Sequence, residues 1–121
     1  MVRLRRSLAA AVALACCASS VAGQTYAHCI LDKMPGTPND AVAYAVVQSC
    51  MRENRGGMYV IRKGSGRGWF SHGSPQACVM KKARDTTNQK AATVISAACH
   101  CLYGENSFDG EMCGYPSLPS Q

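Results

Sequence analysis

Apolar residues recur at helical spacing in two stretches of the chain. Ala43, Val46, Val47 and Cys50 share one face of the first, and Ala92, Ile95, Cys99 and Leu102 share one face of the second. Each stretch opens with helix-start chemistry. Thr37-Pro38-Asn39-Asp40 sets a hydroxyl acceptor before a proline suited to the first helical position, then a carboxylate near the positive helix end. Thr86-Thr87-Asn88-Gln89 has the Thr-to-Gln spacing of a capping box. Helices are therefore predicted over 38–53 and 87–103, capped by Thr37 and Thr86. A short apolar segment precedes each, over 27–34 and 76–83, and is expected to form a helix of two turns. Met34-Pro35-Gly36 closes the first of these. Alanines 41, 43, 45, 91, 92, 97 and 98 would let the long helices approach closely.

The two stretches also align with each other. Segment 29–50 lies over 78–99 without a gap, and each is bracketed by cysteines. Cys29/Cys78, Lys33/Lys82, Thr37/Thr86, Asn39/Asn88, Ala43/Ala92 and Cys50/Cys99 are identical, and Ile30/Val79, Leu31/Met80 and Val46/Ile95 are similar. Such a period predicts one supersecondary unit used twice. Between the units, Met58-Tyr59-Val60-Ile61 and Trp69-Phe70-Ser71-His72 flank Arg62-Lys63-Gly64-Ser65-Gly66-Arg67-Gly68. Short β-favouring runs about a glycine-rich turn predict a hairpin leaning on the helices. The expected fold is mainly α: two tandem disulfide-bracketed units of short helix, turn and long helix, joined by a β-hairpin-like Gly-rich insertion. The tail over 104–121 is expected to be irregular.

The N-terminus changes the setting. Arg3, Arg5 and Arg6 precede an apolar run over 8–18, and Ser20-Val21-Ala22 supplies small residues for cleavage. That order predicts a secretory signal over 1–23, too short in its apolar part for a span of about 20 residues. A retained anchor, or lipidation at Cys16 or Cys17, is a less favoured alternative. Cleavage near Ala22 or Gly23 would leave a single small domain over 24–121, periplasmic or secreted, with no stable membrane span. Six cysteines remain: Cys29, Cys50, Cys78, Cys99, Cys101 and Cys113. In a short exported chain an even set reads as a disulfide framework. Six cysteines allow 15 pairings. The repeat argues for Cys29–Cys50 and Cys78–Cys99, leaving Cys101–Cys113. Those pairings require the short helix to bring its cysteine within about 7 Å of one three turns into the long helix.

Cleavage also lowers the formal charge. The whole chain carries +6, and three of its 13 basic residues precede position 24, so the remainder carries +3. The charge is uneven. Eight basic residues and one acid, Glu53, lie between 52 and 84, whereas three acids and no base follow 104. The centre is a candidate anion-facing surface.

Cys29-Ile30-Leu31, Met34, Gly36, Asn39-Asp40 and Cys50 together resemble a segment of small bacterial exported or membrane proteins. The resemblance covers 29–50. It implies a bacterial source and carries no activity with it.

Candidate chemistry divides between two readings. Tyr59, Arg62, Lys63, Arg67, Trp69 and Phe70 interleave cations with rings, a mixture found where proteins bind other proteins or polyanions. The expected function is thus an exported, disulfide-stabilised binding protein. Its partner would be a protein or an anionic cell-envelope component rather than nucleic acid, and the hairpin region 55–72 would be dispensable for folding. The alternative is a soft-metal, copper-binding protein using Cys99, His100 and Cys101, with Met34, Met51, Met58, Met80 and Met112 as thioether donors. His28 and His72 show no ligand spacing. The glycine loop lacks the Gly-Lys-Ser/Thr ending of a phosphate cradle. Ser71-His72 is not a catalytic arrangement, since strand neighbours face opposite ways. Neither a catalytic constellation nor a cofactor motif stands out, and an enzyme is the less favoured class.

Overall fold

A computed structural model describes residues 24–68, 72–105 and 111–114. The expected signal over 1–23, the residues Trp69 and Phe70, and most of the tail lie outside the described residues. Four α-helices follow in order: α1 Tyr26–Lys33, α2 Asp40–Glu53, α3 Pro75–Lys82 and α4 Gln89–Tyr103. No strand occurs among the described residues. No helix among them is long and apolar enough to cross a membrane.

All four helices begin on a side-chain cap. Thr25 and His28 form a reciprocal capping box on α1. Ser74, followed by Pro75, accepts from the Ala77 amide on α3. The long helices are capped by Asn39, which accepts from Val42 N–H at 3.0 Å, and Asn88, which accepts from Ala91 N–H at 2.8 Å. The predicted caps Thr37 and Thr86 are thus two residues early, because each hydroxyl is engaged elsewhere. The Thr37 hydroxyl donates to the Met34 carbonyl at 2.6 Å, while the residue before Pro38 is pushed away from helical geometry. Thr86 Oγ1 accepts from the Gly36 amide at 2.9 Å. The Asn88 amide donates to Asp40 at 2.8 Å, so the two inter-helix turns are bonded to each other.

The core lies between α1 and α4, with α2 and α3 flanking. Ile30, Met34, Ile95 and Leu102 are its largest fully buried side chains, together with Cys50, Cys78 and Cys99. Of the alanines, Ala43, Ala91 and Ala98 are buried, whereas Ala41 and Ala45 face solvent. Three disulfides close the structure: Cys29–Cys50, Cys78–Cys99 and Cys101–Cys113. Their Cα atoms are 5.6, 5.6 and 5.5 Å apart, within disulfide reach. Each of the first two joins an eight-residue helix to the longer helix that follows.

The expected hairpin is not formed by the described residues. Its first arm is instead a 3-10 turn, Gly57–Val60. Gly56 and Gly57 carry φ of 91° and 54°, values that other residues rarely adopt, and they wind the chain before an extended run can begin. Chain 61–63 pairs with the tail. The Cys113 amide donates to the Ile61 carbonyl at 2.7 Å, and the Lys63 amide to the Glu111 carbonyl at 2.9 Å. Cys101–Cys113 holds that tail segment beside α4. Among the described residues, local β preference therefore ends as a single bridge, Arg62 with Met112.

Candidate interaction surface

The glycine-rich loop closes the C-terminal end of α4, where the last carbonyls of a helix lack intrahelical partners. Gly64 N–H donates to the Cys101 carbonyl and Gly66 N–H to the Leu102 carbonyl, both at 2.8 Å. The Arg67 Nε–H donates to the Tyr103 carbonyl at 3.3 Å, and Gly104 N–H takes the His100 carbonyl at 3.0 Å. A β-carbon at Gly66 would lie 2.8 Å from Leu102 Cβ and 3.1 Å from its carbonyl oxygen. Glycine is needed here for close approach to α4, not to cradle a ligand. Ile61, at 2% exposure, joins the core. The described part of the insertion thus packs on α4 and the core, which argues against the expectation that 55–72 is dispensable for folding.

These contacts sort the predicted binding residues. Arg67 is exposed but tied through Nε to α4. The Lys63 ammonium lies 3.9 Å from Glu111, so its charge is partly answered. Tyr59 and Arg62 remain on the exposed surface of the 3-10 turn and its exit. Trp69 and Phe70 lie outside the described residues. The structure adds residues that the cation-and-ring pattern passed over. Val60 is 61% exposed beside Tyr59 at 56%, and Met51 on α2 is exposed as well. Met51 Sδ would be 2.9 Å from a β-carbon on Gly57, and Val60 Cγ1 would be 2.5 Å from one on Gly56. The two glycines therefore seat both apolar side chains against the turn. The Gly56-Gly57 pair was the available signal for a tight turn here.

Arg52 and Arg55 end α2 and enter the same turn. No ion pair closes on Arg52, Arg55 or Arg62 among the described residues. The acid in their midst, Glu53, points to α1, where Lys33 Nζ lies 2.6 Å from its carboxylate. That hydrogen bond holds Glu53 below the usual carboxylate range. The outcome is an apolar tip of Met51, Tyr59 and Val60 beside three arginines.

The soft-metal alternative loses its thiolates. Cys99 and Cys101 are both in disulfides, which leaves His100 exposed and without its proposed neighbours as ligands. No group of three or more His, Cys, Asp or Glu that could hold a metal occurs among the described residues. His100 instead borders an open groove of about 730 Å³ along α4, whose lining includes Ala92, Ser96, Ala97, Met58 and Met112. His72 packs edge-on against Tyr103, ring centroids 5.2 Å apart. Burial, then the charges of Lys81 and Lys82, push the His72 pKa down, while burial pushes the Tyr103 hydroxyl up.

Comparison with protein-family models, with curated proteins and with solved structures finds no match to this chain.

Proposed function

We propose that the chain is an exported bacterial binding protein that engages an anionic partner through Arg52, Arg55, Tyr59, Val60 and Arg62. Its two stapled helix pairs are taken as one unit used twice, serving as a scaffold for that surface. One observation carries the reading: three arginines flank exposed apolar side chains, no carboxylate forms an ion pair with them among the described residues, and the adjacent Glu53, although within the field of Arg52, is hydrogen-bonded by Lys33. Charge left unanswered around an apolar anchor is the pattern of a recognition patch. Three disulfides suit an oxidising compartment. Lys63 and Arg67 play a supporting part, since both also hold the loop.

Chromatography on a phosphate-bearing resin tests this reading. Arg55→Gln/Arg62→Gln is compared with Lys81→Gln/Arg84→Gln, which removes the same charge from the region of α3. The patch variant should elute at clearly lower salt than the control variant. Equal elution of the two would mean that only net charge matters, and the proposed surface would be wrong.

A further inference from the structure

We infer that the anionic partner is the headgroup face of a lipid bilayer, a conclusion that rests on the reading of the surface given above. A soluble polyanion without rings or apolar groups, such as polyphosphate, would be held by the arginines alone. It would give no reason for Tyr59 and Val60 to stand more than half exposed at the tip of a turn, with Met51 set against Gly57 of the same turn. A bilayer interface uses both kinds of group at once. Guanidinium groups pair with lipid phosphates in bidentate fashion, and apolar or tyrosine side chains settle at the boundary between headgroup and acyl chain.

The tip is also suited to insertion without rearrangement. Gly56 and Gly57 fix a 3-10 turn, and Ile61, next in the chain, is anchored in the core and bonded through its carbonyl to Cys113. Val60 and Tyr59 are thus presented by backbone that is held on the far side. Little ordering is left to occur on binding, which favours a small contact. The Lys33–Glu53 pair keeps the nearby carboxylate turned toward α1, so it adds little repulsion to an anionic surface.

Vesicle co-sedimentation tests the inference. Protein recovered after export is used, and all variants share whatever N-terminus processing leaves, so differences between them report the patch. Vesicles of phosphatidylcholine alone are compared with vesicles that include phosphatidylglycerol, and soluble polyphosphate serves as the bilayer-free source of the same phosphate chemistry. Binding is expected only to the phosphatidylglycerol vesicles and should fall with salt. Each of Arg55→Gln and Arg62→Gln should weaken it about fivefold. Val60→Thr keeps the branched shape but adds a hydroxyl, and should weaken vesicle binding several-fold with an unchanged thermal midpoint. Val60→Ile should strengthen it. If the arginine variants lower binding but the Val60 variants do not, and polyphosphate competes fully, the bilayer inference is overturned while the anionic-partner reading stands. If neither set of variants matters for vesicles or polyphosphate, both fall.

Discussion

The two stapled helix pairs have the same lengths of bridge and opposite burial. In the first pair the short helix is core. Tyr26, Ala27, Cys29, Ile30 and Leu31 of α1 are buried, while its long partner α2 buries only Ala43 and Cys50. In the second pair the order reverses. The short helix α3 buries only Cys78, and the long helix α4 buries Ala91, Ile95, Ala98, Cys99, Cys101, Leu102 and Tyr103. A disulfide fixes which helices are neighbours. It does not fix which helix of the pair faces the centre. That choice follows the packing of α1 on α4, and it sends the outer helices α2 and α3 to the surface, where α2 contributes Met51, Arg52 and the approach to the proposed binding tip.

Equivalent positions offer the sharpest way to break this comparison. Leu31 and Met80 occupy the same place in the aligned segments, yet they are 4% and 75% exposed. Leu31→Ala should cost about 4 kcal/mol through lost burial and the cavity left behind. Met80→Ala should change stability by less than about 0.5 kcal/mol. Denaturant unfolding of the oxidised protein measures both. Similar losses at the two positions would mean that the halves are packed alike and that the burial contrast is wrong.

The bridges give the next largest effect. Cys29–Cys50 and Cys78–Cys99 each span a sequence separation of 21, so restriction of the unfolded chain assigns both about 3 kcal/mol. Cys29→Ala/Cys50→Ala and Cys78→Ala/Cys99→Ala should therefore be destabilised about equally, despite the unequal burial around them. Unfolding midpoints that place the two losses more than about 1 kcal/mol apart would show that native packing, not chain length, sets the worth of each staple.

What could be read from the sequence was local or periodic. Helical spacing and the aligned cysteines located all four helices within two residues and pointed to the three bonded pairs, because those signals repeat at fixed intervals. The asparagine caps were hidden behind Thr37 and Thr86, whose hydroxyls are taken by partners that only the fold brings near. The first run expected as a strand, 58–61, failed for the same reason, while the second lies outside the described residues except for His72. Pairing of 61–63 with 111–113 depends on a bridge from Cys101 to Cys113, and the carbonyls of α4 that receive Gly64 and Gly66 are far away in sequence. For the surface, alternating rings and cations drew attention to Tyr59 and Arg62. The pattern could not show that Lys63 faces Glu111, that Arg67 closes a helix, or that Val60 is left in solvent.

Acid should act on the two pairs in separate windows. In the second pair, His72 lies against Tyr103 of α4 and within the field of Lys81 and Lys82 of α3, and its pKa is lowered from 6.5, first by burial and then by those charges. In the first pair, Glu53 of α2 is lowered from 4.5, chiefly by its hydrogen bond from Lys33 of α1. A lowered pKa means that the unfolded chain takes the proton more readily than the folded one. Each group therefore contributes stability above its unfolded value and loses it as pH falls through the folded value. The loss tied to His72 begins below 6.5, and the loss tied to Glu53 begins only below 4.5. Thermal midpoints followed from neutral to acid pH should show a first shallow decline that His72→Gln removes. A second decline should follow, which Glu53→Gln removes and His72→Gln leaves in place. Both effects should be smaller than those of the core and bridge variants, because both groups are near solvent and screened. A first decline that survives in His72→Gln would place the earlier acid response elsewhere and remove this distinction between the pairs.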